Sequence, residues 1–266
     1  MDLRQYYAIP GEKPLDRIPA DGGFAGIFRK IVCIGDSLSS GEFESLDREN
    51  KRGYHDMYEY SWGQYLARLI GSEVYNFSRG GMTAKEYCQT FADANHFWDQ
   101  DKVCPCYIIA LGCNDILNNR MPLGSVADIN PDDYTKNNEA TFAGWYGRIL
   151  QRYRTMEPKA RFFLVTLPRE ENSEKAVLCK QHAELLHQFS DYFDYTYVID
   201  LFQYGPVYDR EFRRNFYLGG HLNPAGYLLT SRMIASYMDF IIRNCPEDFA
   251  QVGFIGKPYY NMGAKW

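Results

Sequence analysis

Residues 30–39 read Lys-Ile-Val-Cys-Ile-Gly-Asp-Ser-Leu-Ser. The first six are a short, β-branched apolar run closed by glycine, the pattern of a strand buried on both faces. A serine on a tight turn follows, which would expose its Oγ at the strand's end. Four further runs of the same kind recur: EVYNF at 73–77, CYIIAL at 106–111, RFFLVTL at 161–167, stopped by Pro168, and TYVIDL at 196–201. Between them lie stretches with apolar residues at helical spacing. The spacing predicts helices over 61–70 (Trp62, Tyr65, Leu66, Leu69), 82–91, 138–156 (Phe142, Trp145, Tyr146, Ile149, Leu150, Tyr153) and 173–192. A last helix runs from 223 or 224 to about 243, with Pro224 tolerated in its first turn. Five buried-type strands separated by helices make an α/β chain with a central parallel sheet sandwiched by helices.

Around this unit, residues 1–29 are polar and bear Pro and Gly, and read as an irregular arm over a body of residues 30–245. Residues 246–266 form a tail without periodicity, packed on the body or on a second copy; the oligomeric state stays open. No repeat, low-complexity segment or dividing linker is present, so 266 residues make one domain with terminal extensions. With 45% hydrophobic and 24% charged residues the chain is neither disordered nor fibrous. A formal net charge of -5 and the absence of a basic block exclude general attraction to nucleic acid or an anionic membrane. No apolar run approaches the roughly 20 residues that span a bilayer. The N-terminus has no secretory apolar core, and the expected location is the cytoplasm. Seven cysteines, among them Cys104-Pro-Cys106, fit neither a disulfide scaffold nor a zinc set and read as mostly buried thiols.

In open parallel sheets function gathers at the carboxyl ends of the strands, and there the sequence becomes specific. Gly35-Asp36-Ser37-Leu38 follows the first strand. Asn76-Phe77-Ser78-Arg79-Gly80-Gly81-Met82-Thr83 follows the second, its glycine pair letting a backbone N–H approach a ligand. Gly112-Cys113-Asn114-Asp115 follows the third and offers a side-chain amide. His221 stands immediately before the last helix, in Gly219-Gly220-His221-Leu222-Asn223-Pro224. These are the parts of an acyl-transfer site. A hydroxyl needs a base to take its proton, which His221 could do for Ser37. The tetrahedral intermediate needs donors, which the N–H of Ser37, the N–H of Gly81 and the amide of Asn114 could supply.

The four blocks, in order over residues 35–226, resemble the SGNH, or GDSL-type, hydrolase superfamily. The resemblance implies a flavodoxin-like three-layer α/β/α fold with about five parallel strands. It also implies serine-dependent hydrolysis of a small-molecule ester or thioester, with no cofactor and no metal. Carried over, Ser37 is the nucleophile, Ser37, Gly81 and Asn114 form the oxyanion hole, and His221 is the base; Asp36 shapes the turn. Two positions depart from the pattern. Ser78 replaces a glycine, and Leu218 stands three residues before the histidine, where the family has an aspartate. Without that acid the ring loses the partner that fixes its tautomer. We expect a Ser-His dyad with a main-chain carbonyl near Leu218 as the ring's partner; the alternatives are a carboxylate from elsewhere in the chain, such as Asp200, Asp209 or Glu211, or lost catalysis.

The other histidines have no comparable setting: His182 and His187 are five apart, off one helical face, and carry no metal reading. The aromatic stretch RGYHDMYEYSWGQY at 52–65 either lines the substrate pocket or packs the first helix. The density of Tyr and Trp near the cleft favours a short-acyl or acetylated, carbohydrate-type ester. A module that binds ester or glycan without cleaving it, and an acyltransferase, remain the other readings.

Overall fold

The computed structural model describes residues 2–252. In chain order its strands are β1 (Lys30–Gly35), β2 (Glu42–Leu46), β3 (Arg52–Asp56), β4 (Glu73–Ser78), β5 (Cys106–Ala110), β6 (Arg161–Val165), β7 (Thr196–Ile199), β8 (Tyr217–Leu218) and β9 (His221–Leu222). The five apolar runs pair, all parallel, in the order β4-β1-β5-β6-β7. This is the flavodoxin-like order, in which the chain winds first to one side of β1 and then to the other.

Successive side chains of a strand face opposite ways, and the two halves of each run accordingly feed two separate cores. Ile31, Cys33, Ile108 and Phe163 pack with the helices Trp62–Ile70 and Pro224–Asn244. Val32, Ile34, Ile109 and Leu164 pack with Phe142–Met156 and Ser173–Tyr192. Both faces being covered is why the runs read as continuous rather than alternating. Most of the aromatic residues serve these interiors: Trp62, Trp145, Tyr87, Tyr107, Tyr146, Tyr153 and Tyr227 are fully buried.

The expected helix over residues 82–91 is a broken one, helical from Ala84 to Ala94 with a wide turn over Tyr87–Phe91. The N-terminal segment is pinned to the last helix. Arg243 pairs with Asp239 at 2.8 Å and Glu12 at 2.6 Å, all buried, and the N–H of Phe24 donates to Asp239 at 2.8 Å. Phe28 then packs edge-on against Phe163 and Phe249. The tail expected to pack on the body or a second copy lies, from residue 253 onward, outside the described residues.

Two small hairpins escaped the periodicity. β2 pairs with β3, and β8 with β9, both antiparallel. Both sit at the carboxyl rim of the main sheet, where β2 touches β8 and β9 and the helical turn Ser37–Ser40. Among the described residues no helix is long and apolar enough to cross a membrane.

Candidate active site

Ser37 opens a single helical turn, Ser37–Ser40, directly after β1. Asp36 caps that turn, its Oδ1 accepting from the N–H of Leu38 at 3.0 Å. Asp36 is buried, and burial pushes its carboxyl up to about 6 against the pull of the Leu38 N–H and His221. This is the shaping role expected of Asp36. Ser37 itself is half-buried, and among the described residues its hydroxyl makes no hydrogen bond.

The oxyanion candidates come to the same rim. Gly81 is exposed with φ +73°, the left-handed region, and a Cβ there would meet nothing within 4 Å. Asp115, fully buried at the end of the third block, accepts from the N–H of Ala84 at 3.0 and 3.3 Å and so ties the third block to the second. Asn114 donates through Nδ2 to the carbonyl of Met82 at 3.1 Å, with Asp36 Oδ2 3.5 Å away, and its Oδ1 accepts from Asn118 at 2.8 Å. Beneath it His182 holds the strand ends together. Its Nδ1 accepts from the N–H of Leu167 at 3.3 Å and its Nε2 donates to the carbonyl of Leu111 at 3.2 Å.

His221 begins β9, which packs against the Ser37–Ser40 turn. The expected carbonyl is not its partner. Nδ1 lies 2.9 Å from Glu44 Oε1, and Nε2 lies 3.1 Å from Glu42 Oε1. The expectation of a dyad held by a main-chain carbonyl is therefore corrected: a carboxylate faces the ring, carried on the β2–β3 hairpin. Nor do the three alternative acids reach it. Asp200 pairs with His187 at 2.8 Å, Asp209 caps the N–H of Phe212 at 2.8 Å, and Glu211 is exposed.

Alternation on β2 puts Glu42 and Glu44 on one face and sends Phe43 to the other, where it is buried against Tyr227. The hairpin is tied to the Ser37–Ser40 turn by Ser40 Oγ, which donates to Asp56 Oδ1 at 2.9 Å. It is tied to the last helix by the hydroxyl of Tyr227, which donates to the carbonyl of Glu42 at 2.6 Å. Glu42 is raised above the usual glutamate range, by burial and by its neighbours Asp56 and Glu44, with His221 opposing. The sequence carried one signal for this arrangement, the Glu-Phe-Glu alternation just after the serine turn.

An apolar cavity of about 110 Å³ lies beside the Ser37–Ser40 turn, lined by Leu38, Cys113, Leu167, Pro168, Tyr217 and Leu222 among others. Burial pushes the Cys113 thiol up to about 12, which keeps it protonated and inert as a nucleophile. The aromatic stretch divides between its two readings. Trp62 is buried under the first helix, whereas Tyr54 is 55% exposed with its ring edge-on to His221 at 6.0 Å.

The model of the GDSL-like Lipase/Acylhydrolase family matches residues 33–229. Among solved structures, a family two carbohydrate esterase from Clostridium thermocellum, in complex with cellohexaose, matches with a TM-score of 0.56 at 18% identity, over 90% of this chain and 67% of its own. A carbohydrate esterase family 2 enzyme with a carbohydrate binding domain, from Corynascus thermopiles, matches with a TM-score of 0.52 at 16% identity, over 85% of this chain and 67% of its own. At these identities the likeness is one of fold. A search of curated protein sequences gives no match.

Proposed function

The chain belongs to the GDSL-like lipase/acylhydrolase family, and from that premise we propose that it is a serine-dependent ester hydrolase working through an acyl-enzyme on Ser37. The observation that carries this reading is His221, held by carboxylates against the turn that presents Ser37. In the first half-reaction Ser37 Oγ attacks the ester carbonyl carbon while its proton passes to His221 Nε2. The N–H groups of Ser37 and Gly81 and the Asn114 amide stabilise the oxyanion. The imidazolium then gives its proton to the departing alcohol as the C–O bond breaks. Water, deprotonated by the same ring, releases the acid and restores Ser37. Glu42 has to leave Nε2 before the first proton can move.

Two features around the serine turn support a substrate class. A cavity of about 110 Å³ suits a short acyl group, and the exposed ring of Tyr54 beside His221 offers an apolar face to a sugar. An acetylated carbohydrate fits both, in keeping with the carbohydrate esterases that share the fold. Binding without turnover is the second reading, favoured by the Glu42 carboxylate on the nitrogen that would accept the serine's proton. The test is hydrolysis of p-nitrophenyl acetate and butyrate by the purified protein, by Ser37→Ala, and after treatment with a fluorophosphonate. We expect turnover that favours acetate, and turnover and labelling that both vanish in Ser37→Ala. A folded protein with neither turnover nor labelling would leave the binding reading.

A further inference from the structure

We propose that the β2–β3 hairpin supplies the acid of this site: Glu44 is the positioning residue for His221, in the role that Leu218 cannot fill. The inference rests on the Ser37–His221 reading and adds a third member to it. Glu44 lies 177 residues from His221 in sequence, so only the fold brings the two together.

Three observations separate Glu44 from an incidental neighbour. It faces Nδ1, the nitrogen that must carry the proton if Nε2 is to accept one from Ser37, at a hydrogen-bonding distance of 2.9 Å. It is buried, and its second oxygen is 3.3 Å from Arg52 Nε on the paired strand, so the carboxylate is held at both ends. The histidine loop is also shaped around it. A Cβ at Gly219 would collide with Glu44 Oε2 and one at Gly220 with Oε1. The two glycines thus leave room for the carboxylate where it stands, and Gly219, at φ +68°, also makes the turn. Glu42 also has a glycine against it, Gly80, but it is only partly buried and lacks the Nδ1 contact. It sits on Nε2, where a permanent partner would block the serine.

Held in this way, Glu44 keeps the tautomer with hydrogen on Nδ1 and compensates the charge the ring gains when it takes the serine's proton. Leu218 is half-exposed and is the register partner of His221 across β8 and β9. Residues directly opposed in an antiparallel pair have Cβ atoms about 4.5–5.5 Å apart. An acid placed at 218 would therefore be within reach of the ring once Glu44 is gone.

The experiment compares wild type, Ser37→Ala, Glu44→Gln, Glu44→Ala and Glu44→Ala/Leu218→Asp on p-nitrophenyl acetate, with Tm and the low-field proton NMR signal of the His221 Nδ1–H. We expect Glu44→Gln to lower kcat by about 10²- to 10⁴-fold with KM within threefold, an unchanged Tm and a lost low-field signal. We expect Leu218→Asp to recover at least tenfold of the kcat lost in Glu44→Ala. A Glu44→Gln protein that keeps kcat within threefold overturns the assignment. So does a kcat loss that Leu218→Asp leaves unchanged while the low-field signal persists. Turnover that survives in Ser37→Ala would instead remove the serine reading, and the low-field signal would then decide the Glu44–His221 pair alone.

Discussion

Two histidines stand at the carboxyl rim of one sheet, and the molecule treats them in opposite ways. His182 is fully buried and has main-chain partners on both ring nitrogens, the N–H of Leu167 and the carbonyl of Leu111. Burial holds it well below the usual histidine range, at about 4, although the Leu111 carbonyl and Asp200 oppose. His221 is partly open to the cleft and has carboxylates on both nitrogens. The carbonyl-held ring expected at 221 thus exists, but at 182. A ring between an amide N–H and a carbonyl is fixed in one neutral tautomer and serves as a rigid strut. A ring between carboxylates has countercharge at hand when it takes a proton, which is what a base needs.

The contrast breaks most sharply under parallel substitution. We expect His221→Gln to cost at least about 10³-fold in kcat on a short-acyl ester, with Tm within about 2 °C, because the proton acceptor is lost and little packing goes with it. We expect His182→Gln to do the reverse. It leaves the buried Leu167 N–H or Leu111 carbonyl without a well-placed partner, worth about 1–3 kcal/mol, or several degrees in Tm. Its kcat per folded molecule should stay within about tenfold, since His182 acts on Asn114 only by holding the loop between them. Calorimetry and initial rates on the same samples decide it. Equal losses of activity in the two variants would mean that His182 is part of the chemistry.

The same two residues mark where the sequence could be read and where it could not. The five strands were legible because the sheet is covered on both faces, so the centre of a run, such as Ile31–Ile34, has to be apolar throughout. The rim was legible because a serine turn, a glycine pair, an amide and a histidine each follow one of these elements. The β2–β3 hairpin was not. β3 is mostly exposed, the connection from Asp47 to Lys51 carries no Asn-Gly or Asp-Gly pair, and Phe43 is the lone buried apolar anchor of the pair. Propensity cannot find a strand whose pairing is set by a single aromatic residue and by side-chain ties to other elements. Glu44 is not legible for that reason: the acids that most closely precede His221 in the sequence, Glu211, Asp209 and Asp200, are not the ones the fold brings to it.

A smaller effect sharpens the comparison through pH. Asp115 is held up to about 7, chiefly by burial, against the N–H of Ala84; Asp36, at about 6, has the same sign. An acid raised in the fold binds more protons in the native than in the unfolded state between about pH 4 and 7. Its contribution to stability therefore falls as pH rises through that window. His182 works the other way: the unfolded ring takes a proton near 6.5 and the native ring only near 4, so stability is lost as pH drops between the two. In wild type these slopes oppose each other and partly cancel. We expect Asp115→Asn, whose amide oxygen can still accept from Ala84, to gain in Tm relative to wild type between pH 5 and pH 8, by about 3 °C. Over the same range His182→Gln should lose ground relative to wild type by a similar amount, since its advantage lies at low pH. Thermal scans at pH 5, 6, 7 and 8 measure both. Slopes of the same sign would mean that the buried carboxylate and the buried ring do not titrate as separate struts, and that the rim responds to protons as one unit.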